Sequence, residues 1–269
     1  MKKVSIIIQL TLCSYICYSQ NYYQEGYKQY YDGNDEASID LFTKAIQNHQ
    51  EISKAYMYRG ASKTILGNFA EALDDILTSI KLDSTNYKAY YYYGRIYFAQ
   101  GFFNTAIKQY NISISKYNKD ADVYDDRAMA RGMAGDYEGA LMDENSAIDI
   151  NSKNSSYYVN RGYAKFQLKQ YDEAIEDFEK ALKIDLNPRA YANRGLVYLV
   201  ISRYKDAIED FSKALDKMPM TKDLYYQRGL AYKAIGKIYE ACLDFNKSRE
   251  MGYIPASDEC EKCLDKNNK

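Results

Sequence analysis

The sequence predicts an all-α protein built from about seven stacked helix hairpins, and three observations carry that prediction. First, Tyr22, Tyr56, Tyr90, Tyr124, Tyr158, Tyr191 and Tyr225 follow one another at intervals of 34, 34, 34, 34, 33 and 34 residues. So strict a period marks one small unit copied along the chain. Second, small residues recur behind each tyrosine: Gly26, Gly60, Gly94, Ala128, Gly162, Gly195 and Gly229, then Ser38, Ala72, Ala106, Ala140, Ala174, Ala207 and Ala241. Third, a turn signal separates those two columns: Gly33-Asn, Gly67-Asn, Gly101-Phe, Gly135-Asp and Gly236-Lys, with Lys169 and Ser202 at the same place in two units. Small residues on two helices that flank a turn let the helix axes approach closely and pack ridge into groove. Phe42, Ile76, Tyr110, Phe178, Phe211 and Phe245 recur in one column of the second helix and fill the remaining space.

Taken in order, the chain opens with Lys2 and Lys3, an apolar stretch from Val4 to Ile16 and the short run Cys17-Tyr18-Ser19. This predicts a signal peptide over residues 1–19, with Gln20 as the first mature residue and a periplasmic or secreted protein as the product. The stretch is too short for a good membrane span. Leu10-Thr-Leu-Cys13 offers an alternative, a lipid anchor on Cys13, although Leu12 is larger than such signals prefer.

The repeated columns resemble the tetratricopeptide repeat, which has an aromatic at its fourth place, glycine at the eighth, alanine at the twentieth and twenty-seventh and an aromatic near the twenty-fourth. In that register the repeats fill residues 20–255, as units 19–52, 53–86, 87–120, 121–154, 155–187, 188–221 and 222–255. Tyr56, Gly60 and Gly195 are thus structural residues. The resemblance implies a right-handed superhelical solenoid. Residues 256–269, beginning Ala-Ser-Asp-Glu-Cys, look like the capping helix and tail that end such arrays. Of the mature cysteines, Cys242 is expected to pair with Cys260 or Cys263, stapling this cap to the last repeat in an oxidising compartment. No strand-like segment precedes Cys260, as a redox Cys-x-x-Cys would need. The single histidine, His49, lies at the far end of the array, so no zinc site, metal or cofactor is expected.

Two internal columns change together. The seventh place holds Arg59, Arg127, Arg161, Arg194 and Arg228, and sixteen residues later the same units hold Asp75, Asp143, Asp177, Asp210 and Asp244. The other two units lack both, with Glu25/Leu41 and Tyr93/Gln109. Each Arg–Asp pair, Arg161–Asp177 among them, should tie the two helices of a hairpin together. Repetition of one pair five times marks scaffold, not catalysis. Unit four departs from the pattern with Ala128, Arg131 and Glu144, the last in the aromatic column. Arg131 is expected to neutralise Glu144.

The resemblance also implies that the first helices form a concave wall, used in such solenoids to hold extended peptides or a partner's helix. On that wall the candidate partner-binding residues are Tyr23, Tyr27, Tyr58, Tyr91, Tyr92 and Arg95 in the early units. Asp122, Asp125 and Asp126 follow in unit four, and Asn160, Tyr163, Asn193 and Tyr226 beyond it. The chain has 31 tyrosines and no tryptophan, a composition suited to protein contact. Its formal net charge of −1 gives no reason to expect nucleic acid as partner. No nucleophile–base pairing or phosphate loop can be picked out, so a non-catalytic, exported scaffold is expected. The alternative is a lipid-anchored accessory subunit of an outer-membrane assembly or secretion complex.

Overall fold

The computed structural model describes residues 21–260. The expected signal segment 1–19, Cys13, Cys263 and the tail from 261 onward lie outside the described residues. Among the described residues there are fourteen helices of ten to fourteen residues, a further helical stretch over 256–260 and no strand. They form two compact units, the first ending at Tyr117 and the second starting at Asn118.

The first unit holds α1 (Tyr22–Tyr31), α2 (Asp35–Gln47), α3 (Ile52–Ile65), α4 (Phe69–Leu82), α5 (Tyr87–Ala99) and α6 (Phe103–Lys116). The second holds α7 (Ala121–Met133), α8 (Tyr137–Ile150), α9 (Ser155–Gln167), α10 (Tyr171–Ile184), α11 (Pro188–Val200), α12 (Tyr204–Lys217), α13 (Lys222–Ala234) and α14 (Ile238–Glu250). Odd-numbered helices are the first members of hairpins and even-numbered ones the second. Within each unit a first helix packs on its own second helix, on the second helix before it and on the next first helix. Successive second helices do not meet to a comparable extent. Each unit is therefore a short α-solenoid, curved with its first helices inside.

The ends of the first helices explain the regular spacing. Asn21, Asn86, Asp120, Asn154 and Asn187 each accept a backbone N–H two or three residues ahead, satisfying a donor that a helix start leaves open. At the other end, Asn34, Asn68, Phe102, Asp136, Gln170, Arg203 and Lys237 donate their backbone N–H to the carbonyl five residues back, at 2.8–2.9 Å. That closure places the residue before each donor in the left-handed region. Five of the seven are glycines, with φ from 77° to 85°; Lys169 and Ser202 take the same conformation at 62° despite their side chains.

The eighth-place glycines face the column of large residues. A Cβ at Gly94 would lie 2.5 Å from Tyr110 Cε1, and at Gly162, Gly195 and Gly229 it would lie 2.8, 2.8 and 2.6 Å from ring carbons of Phe178, Phe211 and Phe245. All four rings are almost fully buried. Gly94→Ala should therefore lower stability by about 1–3 kcal/mol, the usual cost of overpacking, even though alanine favours helix. Gly132→Ala, with nothing within 4 Å of the new methyl, should raise stability by up to about 1 kcal/mol. Urea unfolding followed by circular dichroism checks both, and equal effects at the two sites would contradict the packing argument.

All five Arg–Asp pairs form. Arg161 donates from Nε and Nη2 to the two oxygens of Asp177 at 2.8 and 2.6 Å, and Arg59, Arg127, Arg194 and Arg228 hold their aspartates in the same fork. The guanidiniums also lie over the fourth-place rings, 5.1 Å from the Tyr56 centroid for Arg59 and 5.4 Å from Tyr158 for Arg161. In three cases Nη1 reaches back to the preceding hairpin: Arg59 to Thr43 at 3.0 Å, Arg161 to Asn145 at 2.8 Å and Arg228 to Ser212 at 3.0 Å.

One sequence expectation is corrected and another is narrowed. Arg131 does not neutralise Glu144; its Nη1 donates to Asp143 at 2.9 Å and to the Gly139 carbonyl at 3.0 Å, with Nε 3.6 Å from Asp136. Lys63 and Lys165, at the same eleventh place, likewise join Asp75 and Asp177. The eleventh place thus reinforces the Arg–Asp fork. Of the two pairings expected for Cys242, the one with Cys260 is not made. Cys242 is disulfide-bonded, whereas Cys260 is a free thiol buried against Ala241 and Phe245, where desolvation raises its pKa. Residues 256–260 are helical, and Ala256 is wholly buried.

Candidate functional site

In the first unit the inner faces of α1, α3 and α5 carry a cluster of tyrosines. The Tyr27 and Tyr58 rings meet edge to face at 5.1 Å, Tyr58 lies 5.9 Å from Tyr92, and the Tyr30 and Tyr92 hydroxyls are 3.2 Å apart. Burial above all, then neighbouring phenols, raises the pKa of Tyr58 and Tyr92, so both stay neutral phenols. Tyr23, Tyr58 and Tyr92 are buried, which corrects their expected role as exposed contacts. They form floor instead. Tyr23 and Tyr58, with Tyr27, Gln24 and Met57, line an open cleft of about 430 Å³ whose rim carries Lys54, Lys88, Asp83 and Asn86. Tyr92 and Arg95 line a second cleft of about 270 Å³ with Ala61, Thr64, Ile65, Phe98 and Ala99. Tyr91 is half-buried, with the exposed Arg95 guanidinium 5.8 Å from its ring.

Lys54 and Lys88 join the candidate residues here, and their second place in a unit is the sequence signal for an inner-face position. Lys54 also pairs with Glu51 at 2.8 Å.

The second unit presents different chemistry. On α7, Asp122 is exposed and accepts the Tyr157 hydroxyl at 2.8 Å, while half-buried Asp125 accepts the Asn160 amide at 2.7 Å. Desolvation raises the pKa of Asp125. Asp126 is half-buried on the same helix. Behind Asp125 stands Glu144 of α8, only 1% exposed. Burial and then the Asp125 charge push its carboxyl up to about 11. Tyr163 is exposed, Asn193 is half-buried, and Tyr226 packs on Phe245 and Tyr253 with centroids 5.7 and 5.3 Å away. The inner faces thus offer an aromatic, lysine-rimmed cleft in one unit and an acidic cluster in the other. Sequence reasoning placed Glu144 in its column but missed that it joins Asp125.

Models of the tetratricopeptide repeat match residues 155–187 and 188–219, in step with the hairpins there, and residues 65–121, from the end of α3 through α6. This is a tetratricopeptide-repeat protein. Its fold is shared by a tetratricopeptide repeat protein from Parabacteroides merdae ATCC 43184, at 19% identity and a TM-score of 0.64 over 91% of this chain and 98% of that one. Pseudomonas aeruginosa pilF is similar at 16% identity and a TM-score of 0.70, covering 80% of this chain and 98% of its own. A third repeat protein, YrrB, described as having an unusual peptide-binding site, is 21% identical with a TM-score of 0.57 over 72% of this chain and 97% of that one. At such identities the likeness is one of fold alone. Comparison with curated proteins gives no significant match.

Proposed function

We propose that this repeat protein is a non-catalytic scaffold that holds an extended segment of a protein partner against the inner faces of its first helices. The observation that carries this reading is the cleft between α1, α3 and α5, with rigid tyrosines beneath and lysines at its rim. Tyrosine supplies broad contact area at low entropic cost, and paired clefts along successive helices suit a chain in extended form. Peptide binding by YrrB, which shares the fold, supports the same reading. Selection of a random dodecapeptide display library on the full chain tests it. Binders should emerge and lose affinity in Lys54→Glu/Lys88→Glu, a surface variant expected to melt like the wild type. An empty selection, or binders indifferent to that variant, would sink the proposal.

The reading includes export. It rests on the basic and apolar character of residues 2–16 and on the disulfide at Cys242, a bond that persists in oxidising compartments. Mass spectrometry of the mature N-terminus tests it: Gln20 first supports the soluble form, an acylated Cys13 the lipid-anchored accessory subunit, and an intact Met1 refutes both. Among the described residues no helix is long and apolar enough to cross a membrane.

A further inference from the structure

Glu144 stands in a column that other hairpins fill with phenylalanine, tyrosine or isoleucine, yet it is a carboxylic acid enclosed by protein. Neither of its side-chain oxygens has a hydrogen bond of good geometry. The polar groups that act on it are the Asp125 carboxyl, the Asn160 amide and, more weakly, the Asp143 carboxylate. Asp125 leads outward to Asp122, which is open to solvent. Three carboxyl groups therefore run from the interior to the inner face of α7, and the groups that donate to them, Tyr157 and Asn160, are neutral. The cations of the surrounding helices are engaged elsewhere: Arg127 and Arg131 on Asp143, Arg161 on Asp177. Among the described residues no His, Cys, Asp or Glu group is arranged to hold a metal ion.

We propose that the cluster of Asp122, Asp125 and Glu144 is a receptor for the side-chain cation of a lysine or arginine carried by an extended peptide. The inference rests on the reading of the inner faces as a peptide-binding surface. Met129 and Tyr163, about one turn further along α7 and α9, are exposed and offer apolar surface to the methylene stem of such a residue. In the empty site a proton on Glu144 takes the place of the cation, because two adjoining carboxylates in a desolvated setting do not both ionise. Docking a cation on Asp125 expels that proton to solvent and leaves Glu144 ionised behind the Asp125–cation pair. Binding should then tighten by about tenfold for each unit of rising pH while Glu144 remains protonated in the free protein.

The test selects the same random dodecapeptide library at pH 8 on the wild-type chain and on Asp125→Asn/Glu144→Gln. Support is a lysine or arginine enriched at one position on the wild type and lost on the variant. Affinity for a selected peptide should fall by about tenfold or more, as expected when one partner of a desolvated charge pair is removed. Calorimetry of that peptide in phosphate and in Tris should show about one proton released by the wild type. Glu144→Gln alone should release none, and its melting curve at pH 8 reports that it is folded. Binders without a basic position, the same enrichment on the variant, or no proton release would overturn the inference while leaving the scaffold reading standing. A library that yields no binder at all would overturn both.

Discussion

Replacing Asp177 with alanine should lower the stability of the second unit by about 3–5 kcal/mol, the range for breaking a buried ion pair by removing one partner. Asp177 is fully buried and accepts Arg161 twice and Lys165 at 2.7 Å. The loss strands a guanidinium and an ammonium whose side chains are only 14% and 17% exposed. Asp149→Ala, at an exposed position of α8, should change stability by less than about 0.5 kcal/mol. Urea unfolding measures both, and a loss below about 1 kcal/mol at Asp177 would mean that the fork behaves as a surface pair. Burial pushes the Asp177 carboxyl up, but the bonds from Arg161 and Lys165 outweigh it and hold the pKa below the ordinary 3.8. The sign follows. A depressed carboxyl stabilises the fold above its unfolded pKa, so this contribution is intact at neutral pH and disappears on acidification below about pH 4.

Glu144 acts in the opposite sense. Its folded pKa, about 11, lies far above the ordinary 4.5. Stability from the held proton is complete below pH 4.5 and is lost as pH rises towards 11. Through that window the linkage slope is about 1.4 kcal/mol per pH unit for one proton. Glu144→Gln, which keeps the shape and the donor of the protonated acid, should abolish this slope. The variant should match the wild type near pH 4 and exceed its stability by several kcal/mol, on the order of 4, at pH 8. The difference between the two pH–stability curves isolates this group from every other. Parallel curves would show that Glu144 is ionised in the native state.

The hairpins are legible in the sequence because each column has one steric reason. Gly94 and Gly195 sit where a ring lies against the backbone, and Gly33 or Gly236 where φ must be positive. The Arg–Asp fork is legible because its two columns appear and vanish together. The candidate site is harder to read. Fifth and sixth places straddle the boundary between the inner surface and the packing of successive hairpins, so Tyr58 and Tyr92 are floor while Tyr91 is half-buried. Arg131 has two acids in reach of its column, Asp143 and Glu144, and periodicity alone does not decide between neighbours. The division after Tyr117 is not legible either, because the spacing stays at 34 residues across it.

The backward reach of the seventh-place arginines bears on how such a chain lengthens. Arg161 and Arg228 each grip the second helix of the hairpin before their own through Nη1, as Arg59 does at the front. Each of these three hairpins therefore carries its own fastening to the hairpin before it. A copy that carries such an arginine brings its fastening with it, whereas an insertion inside the copy shifts the arginine relative to its partner. Growth by whole copies is the inexpensive route, and the near-constant tyrosine intervals are the record of it.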